Sequence, residues 1–186
     1  MLVPADLGFA LTVAETGTTY LENARFKAAA YFGATQLPTI GEDSGLEIAA
    51  LDGAPGIMSA RFEGLPDGPL KNARILDLMA DLPPSQRTCR YRCAIVLLEP
   101  CGLEHVFEGA CVGRVAAKPS GGGGFGFDPI VFLPRLGRTL AQLADSERLL
   151  VNHRGRAVRK LVRYLARPKR NRTASQAPSP TGNPLL

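Results

Sequence analysis

Apolar residues follow two rhythms along this chain, a helical one near its two ends and a two-residue one between them. Thr18-Thr19-Tyr20-Leu21-Glu22-Asn23-Ala24 opens a predicted helix that runs to about residue 32. Thr19 and Glu22 have capping-box spacing, and Leu21, Ala24 or Arg25, Ala28 and Phe32 recur at helical intervals. Residues 38–42 read as a short extended run. Leu46, Ile48 and Ala50 alternate as a strand does, and Asp52-Gly53-Ala54-Pro55-Gly56 supplies turn chemistry. A second helix fits 69–82, with Leu70, Ala73, Ile75 or Leu76 and Met79 inward, stopped by Pro83-Pro84. An apolar strand over 91–99 turns at Pro100-Cys101-Gly102. Runs over 103–108 and 110–116 then continue an antiparallel meander. A loop through Gly121 to Gly124 leads to Phe125-Gly126-Phe127-Asp128-Pro129 and a strand over 130–133. The spacing predicts two last helices, over 139–150 and 154–166, and no internal repeat is visible.

Composition adds a class to this pattern. The 186 residues are 45% hydrophobic and 21% charged, which suits one domain or two small lobes and excludes a mainly disordered chain. No run approaches the ~20 apolar residues of a membrane span. The N-terminus lacks the basic-then-apolar layout of a signal peptide, so a cytoplasmic protein is expected. Twenty-two cationic and 17 anionic residues give a net charge of +5. Ten of the cations and none of the anions follow Glu147, which leaves 12 cations against 17 anions, a charge of −5, before that point. The excess sits in one C-terminal block, which argues against nucleic-acid binding by a folded face. Residues 167–186, rich in Pro, Ser, Asn and basic side chains, read as a disordered tail after a domain over 1–166.

Four cysteines, Cys89, Cys93, Cys101 and Cys111, include no CxxC pair and have only His105 nearby, so they read as buried thiols rather than zinc ligands. Three other segments could carry chemistry. Glu42-Asp43-Ser44-Gly45, with Glu22 from the upstream helix start, offers hard oxygen ligands for Mg²⁺; a plain turn and a helix cap are the structural alternatives. The Gly run before Phe125 lets a ligand approach the backbone, and two Phe rings could stack on a base; a flexible connection would look the same. Asn152-His153-Arg154-Gly155-Arg156, with Arg148 before it, could grip phosphate or a base edge, or be a solvated helix end.

Together these segments resemble the inosine triphosphate pyrophosphatase family, which removes aberrant purine nucleotides. The likeness rests on five stretches in order: Glu15-Thr16-Gly17-Thr18-Thr19-Tyr20-Leu21-Glu22-Asn23-Ala24, Glu42-Asp43-Ser44-Gly45-Leu46, 53–62, Gly124-Phe125-Gly126-Phe127-Asp128-Pro129-Ile130 and Asn152-His153-Arg154-Gly155-Arg156-Ala157. It covers roughly residues 4–166. It implies an elongated, two-lobed α/β fold with a long mixed central sheet flanked by helices and a nucleotide cleft between the lobes. It further implies a homodimer that hydrolyses purine nucleoside triphosphates (ITP, dITP, XTP) to monophosphate and pyrophosphate with Mg²⁺. By position, Glu22 and Asp43 would hold the metal and Asp43 would activate the attacking water. Ser44 would touch the substrate, Phe125, Gly126, Phe127 and Asp128 would line the base pocket, and Arg148, His153 and Arg154 would contact base and phosphates.

The sequence departs from the family pattern in four places. Glu42 stands where an aspartate is usual, Phe127 where a Tyr or Trp is usual, and Arg148 where a Lys is usual. Ahead of Thr18 nothing matches the strand, the Thr/Ser-x-Asn-x-x-Lys phosphate loop and the first helix. An expectation follows that these elements are encoded upstream of Met1. The alternatives are an inactive truncated homologue with residual nucleotide binding, a pyrophosphatase of modified pyrimidine triphosphates, and a nucleic-acid binder acting through the basic tail. The Phe-Gly-Phe-Asp-Pro and Asn-His-Arg-Gly segments argue against the pyrimidine reading.

Overall fold

Helix α1 (Tyr20–Thr35) begins at the cap that the sequence specifies. Thr19 Oγ1 accepts the Glu22 N–H at 3.1 Å, and Glu22 Oε2 accepts the Thr19 N–H at 3.2 Å. The computed structural model describes residues 2–100 and 102–168, so most of the expected tail, and Cys101, lie outside the described residues. The remaining elements are β1 (Thr39–Ile48), α2 (Pro69–Leu78), β2 (Thr88–Leu98), β3 (Glu104–Val115), β4 (Val131–Leu133), β5 (Arg138–Thr139), α3 (Asp145–Val151) and α4 (His153–Leu165). Among the described residues no helix is long and apolar enough to cross a membrane.

The five strands form one sheet in the order β1-β2-β3-β4-β5, and every pairing is antiparallel. A mixed sheet was the expectation. Every pair is instead antiparallel: short turns join β2 to β3 and β4 to β5, too short for the crossover that a parallel pair needs, and the longer connections before β2 and β4 also return their strands antiparallel. Helix α1 lies on one face of β1 and β2, where Ala24 and Ala28 meet Ala94 and Val96. Helix α4 lies on the other face, where Ala157, Leu161 and Tyr164 meet Cys93, Ile95 and Leu97. Beyond these two helices a third cluster, around Leu46, Ile48, Ile75, Tyr91, Phe127 and Leu140, fills the other half of the fold. The long strands run through both halves, as the two-lobed reading requires.

Two glycines set the approach of the helices. A Cβ on Gly41 would lie 2.1 Å from Ala24 O, and one on Gly109 would lie 2.1 Å from His153 O. Bare backbone at these positions lets α1 and α4 reach the sheet, and that brings their polar side chains into range of β1. Gly109 also explains why two expected strands, over 103–108 and 110–116, are one: the glycine is demanded by the helix packed on it and does not end β3. The runs over 38–42 and 46–50 likewise join as β1. The helix expected over 139–150 starts only at Asp145. Before it, Thr139 pairs in β5, its N–H bonds to Gln142 Oε1 at 2.9 Å and its Oγ1 donates to Ser120 O at 2.7 Å, so local side-chain bonds displace the first helical turn.

Candidate active site

Neighbouring side chains of a strand point to opposite faces of its sheet, so Glu42-Asp43-Ser44 divides between the two helices. Asp43 faces α1 and is buried. Its Oδ1 accepts from Lys27 Nζ at 2.8 Å and its Oδ2 from Asn23 Nδ2 at 3.3 Å. Lys27 also contacts Glu15 at 2.6 Å, and Glu15 is paired in turn with Arg61. One ammonium thus joins two carboxylates. Burial raises the Asp43 carboxyl above its usual range, although the Lys27 bond opposes the rise. Burial would raise Glu15 too, but hydrogen bonds from Lys27 and Arg61 outweigh it and hold that carboxyl low.

Arg61 belongs to a 3-10 segment (Gly56–Gly64) that is pinned to β1. Ser59 Oγ accepts the Leu46 N–H at 2.9 Å and donates to Gly56 O at 2.7 Å. Lys71, almost fully buried on α2, donates to Ser59 O at 3.0 Å, Ala60 O at 2.8 Å and Asp67 Oδ1 at 2.7 Å. Glu22, read from sequence as a metal ligand, serves as the cap of α1. Its Oε2 accepts from Thr18 N, Thr18 Oγ1 and Thr19 N, at 2.7, 2.9 and 3.2 Å. Those bonds lower its pKa.

On the opposite face Glu42 and Ser44 meet Arg154 of α4. The guanidinium donates to both Glu42 oxygens at 3.3 Å and to Ser44 Oγ at 3.2 Å. Burial favours the neutral Glu42, but the charge of Arg154 prevails and keeps its pKa below the usual value. Arg154 also covers the Phe125 ring, with its central carbon 4.4 Å from the centroid. Asn152 caps α4 through the Gly155 N–H at 2.7 Å, and a Cβ on Gly155 would lie 1.9 Å from Leu149 O. This tight corner between α3 and α4 places Arg148, His153 and Arg154 together.

His153 is 1% exposed and stacks on Tyr91, with centroids 4.3 Å apart and planes 11° apart. Neither of its ring nitrogens has a hydrogen-bond partner among the described residues. Burial and the charge of Arg154 push its pKa down to about 4, so the ring is neutral near pH 7. Tyr91 Oη accepts the Phe127 N–H at 3.0 Å, and Asp128 Oδ2 accepts the Phe125 N–H at 3.1 Å. Burial lifts Asp128 to about 6, against that N–H and the charges of Arg148 and Arg154. Arg148 is buried, donates to Leu143 O at 3.1 Å and Asp145, and lies 3.9 Å from Asp128. Asn72 donates to Gly126 O at 3.2 Å while its own Oδ1 is buried without a partner.

The structure therefore gathers Glu42, Ser44, Phe125, Asp128, Arg148, His153 and Arg154, and sets Asp43 on the reverse face of the same strand with Lys27 and Glu15. Glu15, Lys27, Arg61, Asn72 and Tyr91 were not singled out as site residues by sequence. The three cysteines described are free and buried. Burial pushes the Cys89 thiol up to about 12, as suits a small core residue.

These features define an α/β protein whose ionisable groups gather on both faces of one strand, beside a Gly-rich loop and an aromatic wall. The model of the Ham1 family matches residues 3–164, and the chain belongs to that family. It is 42% identical over 156 residues to a dITP/XTP pyrophosphatase of Desulforamulus reducens, covering 83% of this chain and 78% of that protein. The dITP/XTP pyrophosphatase of Escherichia coli is 41% identical over 167 residues, covering 87% and 83%. The solved Staphylococcus aureus Ham1 protein superposes with a TM-score of 0.77 at 34% identity, over 87% of this chain and 83% of that one.

Proposed function

We propose that this chain is a cytoplasmic, homodimeric, Mg²⁺-dependent hydrolase that cleaves ITP, dITP and XTP to monophosphate and pyrophosphate, keeping these bases out of DNA and RNA. One observation carries the reading beyond family membership: a buried, neutral imidazole with two unpaired nitrogens, stacked on Tyr91 and flanked by the Phe125 ring and Arg154. Leaving a buried polar group unpaired costs roughly 1–3 kcal/mol. A flat ligand with its own donors and acceptors, such as a purine, would satisfy the ring. The Phe125 face and the Gly-rich backbone supply stacking and close approach, while Arg148, Arg154 and Ser44 supply contacts to base and phosphate.

The donor set fits magnesium. The ion typically takes one or two carboxylates plus substrate phosphates and needs no closed protein cage. Among the described residues no cluster of three or more His, Cys, Asp or Glu forms one. Asp43 would hold it. The second carboxylate would be Glu15, which already shares a cation with Asp43, or Glu22 through Oε1, since Oε2 is engaged in the cap. When bound, the metal would offset the negative charge that develops on the phosphates as the bond between the α- and β-phosphates breaks and pyrophosphate leaves. Asp43 accepts the proton of the attacking water, and Lys27 turns its ammonium to the phosphate chain.

ITP turnover titrated with Mg²⁺ tests this assignment. Glu15→Gln is expected to raise the half-saturating Mg²⁺ concentration about 10-fold or more. Glu22→Gln is expected to lower the melting temperature while moving that concentration less. The reverse ranking would return the metal to Glu22, and full turnover after chelation of divalent ions would contradict the metal altogether.

A further inference from the structure

Along the sequence the cations form a C-terminal block, but in the fold they are joined by others. Arg90 and Arg92 of β2 come beside Arg156, Arg159, Lys160 and Arg163 of α4 in one groove of about 630 Å³, floored by Gly109 and Ala110 of β3. Spacings of three and four residues put the α4 cations on one stripe. Arg154, two residues before Arg156, lies on the other side of the helix against Glu42. The groove is therefore separate from the candidate active site and does not depend on the proposed activity.

Its charge is weakly compensated. Glu108 is the one carboxylate lining it, 3.6 Å from Arg92, and Glu47 pairs with Arg90 at 3.2 Å and Arg92 at 3.6 Å. Carbonyl oxygens hold two further cations without neutralising them: Lys160 donates to Glu108 O at 2.7 Å, and Arg159 to Leu149 O at 2.6 Å and Leu150 O at 2.7 Å. The side chains of Arg156 and Arg163 have no hydrogen-bond or ion-pair partner among the described residues. Lys160 and Arg163 also line an adjoining groove that ends at Arg167, so the basic track extends along α4. No aromatic ring lines the main groove, so nothing in it would read a base.

We propose that this groove binds the phosphate backbone of single-stranded nucleic acid without reading its sequence. Arg92 stands on the α1 face of β2, over the Tyr20 ring, and the α4 cations on the other face, so the track between them follows the backbone at Gly109 and Ala110, a path that a single flexible strand can take. Four cations free of acidic partners imply about four phosphate contacts. For single strands that gives a slope of log affinity against log salt near −3, so affinity falls about 50-fold between 50 and 200 mM salt.

Fluorescence anisotropy of labelled dT20 and rU20 with the full chain tests the proposal. Equal, salt-sensitive binding of both is expected. Arg156→Gln with Arg163→Gln should reduce the slope by about 1.4 and weaken binding roughly 50-fold at 50 mM salt. The melting temperature should not change in that variant. A control carrying Lys169→Gln, Arg170→Gln and Arg172→Gln separates the groove from the basic residues that follow, and should retain most of the affinity. The proposal is overturned by no binding at 50 mM salt, by salt-insensitive binding, or by loss in the control with none in the groove variant. A duplex bound more tightly than dT20, or a ten-fold preference between dT20 and rU20, would equally contradict it.

Discussion

Inosine triphosphate is expected to be hydrolysed with a kcat/KM roughly 10⁴-fold above that of adenosine triphosphate. The reason lies in complementary edges. A 6-oxopurine presents an acceptor at O6 and a donor at N1, while adenine presents a donor at its 6-amino group and an acceptor at N1. Arg148 is a donor only and is fixed by Leu143 O and Asp145. Asp128 lies 3.9 Å from it, with its Oδ2 anchored by the Phe125 N–H. A donor beside an acceptor matches the oxo edge. Adenine would set donor against donor and acceptor against acceptor, so neither contact to the base could form. His153, neutral because its pKa is held near 4, can supply either a donor or an acceptor as its tautomer requires. Initial rates of pyrophosphate release on the two nucleotides decide the matter, and comparable values would remove Asp128 and Arg148 from base selection.

Asp43→Asn is expected to lower turnover by at least roughly 10²-fold with little loss of fold, because it removes the proposed base and one metal charge together. The substitution keeps an oxygen for Lys27 and gives up the charge and the long 3.3 Å bond from Asn23, so a melting curve only modestly below that of the parent should accompany the loss. Activity within a few-fold of the parent would reduce Asp43 to a structural partner of Lys27 and Asn23.

Much of this site could be read from order along the chain, because its parts are local. The Thr19–Glu22 cap, the alternation through Glu42, Asp43 and Ser44, and the Gly run before Phe125 each need only a few residues to declare themselves. What escaped the sequence depends on long separations. Lys27 meets Asp43 only because Ala24, Ala28 and Gly41 let α1 settle on β1. Tyr91 reads as one more apolar strand residue until His153, 62 positions later, stacks on it. Arg61 reaches Glu15 because buried Lys71 ties the intervening segment down, and a lysine in a helix pattern gives no sign of burial. The break expected within β3 has the same origin: a glycine that seems to end a strand instead makes room for α4.

The products of ITP hydrolysis test the central claim most directly. The chain incubated with ITP and Mg²⁺ is expected to yield inosine monophosphate and pyrophosphate in equal amounts, with no diphosphate intermediate, as resolved by anion-exchange chromatography. Release of orthophosphate with accumulation of inosine diphosphate, or recovery of the ITP unchanged, would contradict it.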